Sequence, residues 1–109
     1  MKKILLIICL FSFTAVASAR EWHSSKITRI YPQGNGAFAL TFENSDPNCT
    51  NTSNPPYYYV RSGHNGVDAE GSKKIYSAAL TAATIGKTVT INFDPSGPSC
   101  YINRLFIQF

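Results

Sequence analysis

The stretch from residue 73 to residue 93, KKIYSAALTAATIGKTVTINF, constrains the fold of this chain more than any other. Its alanine-rich first half has apolar residues at helical spacing, and the predicted buried face comprises Ile75, Ala79, Ala82 and Ala83, with Tyr76 and Leu80 beside them. Its second half alternates as strands do. Only Gly86, which tolerates the left-handed conformation that ends helices, stands between the two halves. We therefore predict a helix capped by Ser72 and ended by Gly86, followed directly by a strand.

Strand-like segments occupy most of the remaining chain. Three of them precede the helix, at 26–31, 37–43 and 57–61, and the last segment, 101–109, follows the strand at 88–93. The Gly- and Asn-rich residues 32–36 predict a hairpin between the first two. In the second segment Phe38, Leu40 and Phe42 alternate with small or polar residues, which is typical of a half-buried strand.

The resulting order is β-β-β-α-β-β, with the helix between the third and fourth strands. This is the order of the OB-fold, a five-stranded, partly open Greek-key barrel. The sequence therefore predicts a β-rich α+β fold of OB type, in which the helix plugs one end of the barrel. An outer-membrane barrel is excluded, because such barrels need at least about eight strands of about ten residues each.

The first nineteen residues have the pattern of a secretory signal peptide. Lys2 and Lys3 precede an apolar run from Ile4 to Phe13, and Ala17-Ser18-Ala19 offers small residues for cleavage. The apolar run is short for a membrane span, which needs about 20 residues. We therefore expect an exported protein, periplasmic or secreted, with residues 20–109 as one small domain and no membrane span after cleavage. The alternative is an uncleaved anchor.

The charge of the chain argues against a nucleic-acid partner. The whole sequence has ten basic and six acidic side chains, but Lys2 and Lys3 belong to the predicted signal peptide, so eight basic and six acidic side chains remain, a net charge of +2. OB-folds that bind single-stranded nucleic acid do so with a basic groove. Such a role is therefore less favoured here.

Cys49 and Cys100 are the two cysteines that follow the signal peptide. A pair of cysteines in a small exported protein favours a disulfide. Closing a loop of about 50 residues stabilises a protein by roughly 4 kcal/mol in the loop-entropy model. A metal site is the alternative, but neither cysteine has a cysteine or histidine at metal-ligand spacing. No metal or cofactor is predicted.

The segment 57–65 has the side chains that a carbohydrate site requires. Sugars present apolar C–H faces and hydroxyl groups, so they suit an aromatic platform with amide, hydroxyl or guanidinium partners. The candidate glycan-binding residues are Tyr57, Tyr59, Arg61, Ser62, His64, Asn65 and Trp22. Tyr58 shares a strand face with Val60 and is expected in the core instead.

Two other classes of function remain as alternatives. A small exported protein of this kind could bind another protein or stabilise the envelope without a sugar site, because strand edges and aromatic patches commonly bind partners. Catalysis is not expected, since the acidic residues show no paired spacing and no Ser-His-Asp or Cys-His arrangement is evident.

Several of these features resemble the B subunits of the subtilase-cytotoxin and typhoid-toxin group of bacterial AB5 toxins. The resemblance lies in Glu21-Trp22, a cysteine ahead of the helix, and the run from Ile75 to Leu80 followed by Gly86-Lys87 and Val89-Thr-Ile. It implies an OB-fold, a homo-oligomeric ring of five subunits and recognition of sialylated glycans on a host-cell receptor. Family members are longer and have a second disulfide, and their sugar-contacting serine has no clear match in this chain.

Overall fold

The computed structural model describes residues 20–109; the predicted signal peptide at 1–19 lies outside the described residues. The elements are β1 (Glu21–Pro32), β2 (Phe38–Phe42), β3 (Tyr58–Val60), α1 (Ala69–Ile85), β4 (Thr88–Phe93) and β5 (Ile102–Ile107). The predicted order of strands and helix is confirmed. The first strand is longer than predicted, because residues 21–25 pair with β4.

All five strands form one antiparallel sheet in the order β3-β2-β1-β4-β5. Strand β1 is shared: residues 21–26 pair with β4, residues 27–32 pair with β2, and a bulge lies between Ile27 and Arg29. A bulge bends a strand and increases its twist, so the two halves of the sheet face different directions. The predicted closure into a barrel is not confirmed, because β3 and β5 remain the two ends of the sheet.

The core lies between the inner face of the sheet and α1. Its largest fully buried side chains include Tyr58, Phe38, Phe93, Leu40 and Ile91. The prediction that β2 is half-buried was wrong, since all five of its residues are buried. Small Ala39, on the outer face, lies between the larger side chains of Tyr31 and Tyr59 in the neighbouring strands, which shield it from water.

Helix α1 begins earlier than predicted and ends where predicted. Asp68, not Ser72, is the N-cap, and its Oδ1 accepts a hydrogen bond from the Gly71 backbone N–H at 2.6 Å. Ile75, Ala79 and Ala82 enter the core, whereas Leu80 remains 48% exposed. Gly86 ends the helix in the left-handed region, at φ 69°.

Within residues 20–109, no helix has both the length and the apolarity to cross a membrane.

The predicted disulfide between Cys49 and Cys100 is confirmed. It joins the loop after β2 to the start of β5, close to where the backbone N–H of Tyr59 donates to Ser99 O at 3.2 Å. Asn51 holds the same loop, because its Nδ2 donates to Pro98 O at 2.9 Å and its Oδ1 accepts from Tyr57 N at 2.9 Å. The polar loop of residues 43–57 is thereby fixed to the β4–β5 turn.

Replacement of Gly86 with alanine should destabilise the protein by about 1–2 kcal/mol, because the Cβ of an L-residue makes the left-handed conformation unfavourable by about that amount. Chemical denaturation measures the change. Gly97→Ala is the control, since Gly97 has open space for a Cβ and no positive φ. Equal effects of the two substitutions would contradict the capping role.

The double substitution Cys49→Ala with Cys100→Ala should lower the free energy of unfolding by about 4 kcal/mol, because it releases a loop spanning 51 residues in the unfolded chain. Denaturation of the variant checks this. The reduced wild-type protein should show a similar loss, whereas a loss below about 1 kcal/mol in both samples would show that other contacts hold the loop.

Candidate functional site

Three tyrosines and an arginine form a surface on the outer face of the sheet, which we call the tyrosine platform (Arg29, Tyr31, Tyr57 and Tyr59). Arg29 and Tyr31 are exposed, whereas Tyr57 and Tyr59 are partly buried. The Tyr57 ring meets Tyr31 edge-on, with centroids 5.9 Å apart at 71°, and meets Tyr59 at 6.1 Å and 60°. Arg29 Nη1 donates to Tyr57 Oη at 3.1 Å. The platform thus combines aromatic rings, hydroxyl groups and a guanidinium group.

Strand register explains how the platform assembles. Tyr31 and Tyr59 both pair with Ala39 of the central strand, on opposite sides. Because Ala39 is small, the two rings flank it rather than being pushed apart. Tyr57 and Tyr59 were predicted site residues, and the structure brings them together. Arg29 and Tyr31 were missed, although hairpin pairing around residues 33–37 would have indicated that Tyr31 faces Ala39.

The neighbouring tyrosine, Tyr58, points into the core, as the alternation with Val60 predicts, and it is fully buried. Its ring packs edge-on against Phe42 and Phe93 with centroids 5.0 Å and 5.1 Å away. Its hydroxyl accepts a hydrogen bond from the backbone N–H of Asp46 at 2.8 Å. Tyr58 therefore anchors both the platform strand and the loop after β2.

Arg61 and Ser62 lie beyond the end of β3, and neither takes part in the ring contacts of the platform. Both are exposed, and they line a cleft of about 410 Å³ together with Asn35 and Lys73. The structure therefore separates these two predicted residues from the contacts that hold the tyrosine platform together.

His64 and Asn65 have structural contacts that the sequence did not predict. The His64 ring stacks on Tyr101, with centroids 4.4 Å apart. Asn65 Nδ2 donates to Tyr101 O at 2.7 Å, and Asn103 Nδ2 donates to Asn65 O. These contacts fasten the loop before α1 to β5, so the amide nitrogen of Asn65 is already engaged within the protein.

Trp22 lies on the half of β1 that pairs with β4, and its side chain is 54% exposed. Its ring contacts Phe106 of β5, with centroids 6.3 Å apart. Seven residues of strand, about 23 Å at 3.3 Å per residue, separate it from Arg29. Trp22 and Phe106 thus form a second aromatic patch, distinct from the platform.

The imidazole of His23 lies close to the side chains of Tyr58 and Asp46. Its ring stacks parallel to Tyr58, with centroids 6.0 Å apart, and its Nδ1 lies 3.7 Å from Asp46 Oδ2. Nε2 donates to Asn44 O, while Asn44 N donates to Ser25 Oγ at 3.0 Å. This arrangement holds the chain where it leaves β2, and it contains no exposed nucleophile.

Two ionisable groups have perturbed acidity. Burial raises the pKa of Tyr58, and the nearby Asp46 carboxylate adds to this, while the hydrogen bond from the Asp46 backbone acts in the opposite direction. Hydrogen bonds from the Ser96 hydroxyl and backbone N–H lower the pKa of Asp94, as does nearby Arg20.

Over residues 20–109, no group of three or more metal-ligating side chains is clustered.

Comparison of the chain with models of known protein families, with curated proteins and with solved structures found no match. A functional inference therefore depends on the chemistry of the surfaces described above.

Tyr58→Phe should destabilise the protein by about 1–2 kcal/mol, because it leaves the Asp46 backbone N–H without its partner. Chemical denaturation measures this, with Tyr59→Phe on the outer face as the matched control, expected to change stability by less than about 0.5 kcal/mol. A loss as large for Tyr59→Phe would show that the Asp46 contact is not the cause.

The same substitution should change the alkaline titration. Because the pKa of Tyr58 is raised in the folded protein, the protonated side chain contributes stability that is fully present below its unfolded pKa of 10.0. This stability is lost as the pH rises from 10.0 through the pKa of the folded state. Tyrosinate absorbance should show a late ionisation step, above the ordinary pKa of a tyrosine, that belongs to Tyr58. Tyr58→Phe should remove that late step.

Proposed function

We propose that this chain is an exported carbohydrate-binding protein whose sugar site is the tyrosine platform. The observation that carries the proposal is the group of Tyr31, Tyr57 and Tyr59 beside the Arg29 guanidinium on an outer sheet face. Tyr31 is 48% exposed, although a large aromatic ring gains free energy when it is buried. A bound sugar ring would cover this surface.

The geometry of the platform suits a hydroxyl-rich ligand. The rings meet at 60° and 71°, so they form angled walls on which the C–H face of a sugar can rest. Arginine has five N–H donors, and Arg29 uses one of them on Tyr57 Oη. The remaining donors and the tyrosine hydroxyls are available to sugar oxygens.

We also propose that the open sheet is an OB-type arrangement. Three features support this: β1 is shared between the two halves through a bulge, α1 connects β3 to β4, and the ends of the sheet approach each other at the Tyr59–Ser99 hydrogen bond. The resemblance to toxin B subunits then suggests a homo-oligomer, a pentamer if that likeness extends to assembly, and a glycan of a host-cell receptor as the target.

A protein-binding role is the second candidate, and the Trp22–Phe106 patch favours it. Both side chains are substantially exposed, at 54% and 44%, and they contact each other on an outer sheet face. Aromatic residues are enriched in protein interfaces and often dominate their binding energy. This role would use the opposite half of the sheet from the tyrosine platform.

A glycan array probed with the purified exported protein tests the proposal. Tyr57→Ala and Tyr59→Ala should each weaken binding to any glycan retained by the wild type by about tenfold, equivalent to about 1.4 kcal/mol of lost contact. Trp22→Ala is the matched control, since it removes an exposed aromatic ring outside the platform and should leave binding within about twofold of the wild type.

A blank array with well-folded wild-type protein would overturn the sugar-binding proposal. If Trp22→Ala alone abolished glycan binding, the site would lie on the other half of the sheet. Capture of a specific protein partner that depends on Trp22 and Phe106, with no glycan bound, would establish the second candidate instead. The mass of the protein in solution decides separately whether it is a pentamer.

A further inference from the structure

A cleft lies between the β1–β2 turn (residues 33–37) and the first turns of α1, and we call it the helix–turn groove. It consists of two adjoining cavities of about 330 Å³ and about 410 Å³, which share Gly36, Ser72 and Lys73 as lining residues. Ligand-binding pockets typically measure about 300–1,000 Å³. The groove is therefore large enough for a small organic molecule, and no residue of the tyrosine platform lines it.

Ser72 is the most informative residue in the groove. It is more than nine-tenths buried and lines both cavities. Its backbone N–H donates to Asp68 O, but no hydrogen bond from its hydroxyl to another residue within 20–109 is found. No fully buried side-chain oxygen or nitrogen in this range lacks a partner, so the Ser72 hydroxyl retains some contact with solvent. Because Ser72 lines both cavities, a ligand oxygen in the groove could replace the water that this hydroxyl contacts.

The polar end of the groove is positively charged. Arg61 and Lys73 line the larger cavity together with the hydroxyl-bearing residues Ser62 and Ser72, and neither cavity is lined by an acidic residue. Lys73 Nζ lies 3.4 Å from Glu70 Oε1, but both side chains are about three-quarters exposed, at 76% and 74%. Water screens such an exposed pair, so Lys73 remains available to a stronger anionic partner.

The other end of the groove is apolar and already organised. Phe38 and Tyr76 pack edge-on with centroids 5.1 Å apart, and both line the smaller cavity with Pro32. The facing turn is held by hydrogen bonds from Gln33 N to Ala37 O at 2.7 Å and from Ala37 N to Asn35 Oδ1 at 3.0 Å. Because both walls are fixed before binding, little ordering is required of the protein.

We propose that the helix–turn groove is a binding site for a small organic carboxylate with an apolar body. The carboxylate contacts Lys73, Arg61 and the Ser72 hydroxyl, and the apolar body lies against Tyr76 and Phe38. The site is additional to the sugar site, and it does not depend on the tyrosine platform being functional.

Titration of the ¹⁵N-labelled protein with 3-phenylpropionate tests the proposal, because NMR locates the contacts and gives the Kd. We expect a Kd on the order of 1 mM, which suits a ligand of this size. The largest shifts should lie at Gly36, Ser72 and Lys73. The uncharged isostere 3-phenylpropanamide should bind at least about fivefold more weakly, and so should acetate, which lacks the apolar body.

Lys73→Gln and Arg61→Gln should each weaken binding of 3-phenylpropionate about three- to tenfold. Lys74→Gln is the matched control, because it removes the same charge from the next exposed position, which lines neither cavity. Its Kd should remain within about twofold of the wild type. These substitutions are at exposed positions, so the variants should fold normally.

Equal affinity for the acid and its amide, equal effects of Lys73→Gln and Lys74→Gln, or shifts confined to other surfaces would each overturn the proposal. So would the absence of saturable binding. The outcome is independent of the sugar-binding test, since Tyr57→Ala should leave 3-phenylpropionate binding unchanged. Loss of glycan binding in that variant with retained acid binding would identify two separate sites.

Discussion

Strand β1 pairs with β4 through its first half and with β2 through its second half. This change of partner makes β1 the central strand, and the positions of the other four strands depend on it. The bulge near Thr28 makes it possible, because one extra residue bends the strand and allows both Ile27 and Ile30 to pack against the core. Thr28 is itself held by a hydroxyl–hydroxyl hydrogen bond to Thr41 at 2.8 Å. The two outer aromatic surfaces, the tyrosine platform and the Trp22–Phe106 patch, lie on opposite sides of this bend.

The two ends of the sheet are connected by loops rather than by a strand ladder. The Cys49–Cys100 disulfide, Asn51 and the Tyr59–Ser99 hydrogen bond join the β3 end to the segment before β5. Asn65 and Asn103 add a second connection further along β5. Polar loops with few apolar residues are thereby ordered without a core of their own, and they support the strand that carries Tyr57 and Tyr59.

The candidate site was predictable where it depends on one strand and unpredictable where it depends on several. Alternation alone indicated that Tyr57 and Tyr59 face away from Tyr58. Predicting that Arg29 and Tyr31 join the platform requires knowledge of the register between β1 and β2. Predicting the helix–turn groove requires knowledge that α1 lies beside the hairpin turn. His64 and Asn65 looked like ligand-binding residues, but their partners Tyr101 and Asn103, at the start of the last strand, are about forty positions away in the chain and carry no local signal.

The sequence by itself determined the order of strands and helix, the end of α1 at Gly86, the pairing of the two cysteines and the inward direction of Tyr58. Each of these depends on local periodicity, on the backbone freedom of one glycine, or on there being only two cysteines within residues 20–109. Only the tertiary structure decided that β1 is shared, that the sheet remains open and that Trp22 lies apart from the platform. These features depend on strand register and on contacts between distant residues, which local preferences do not specify.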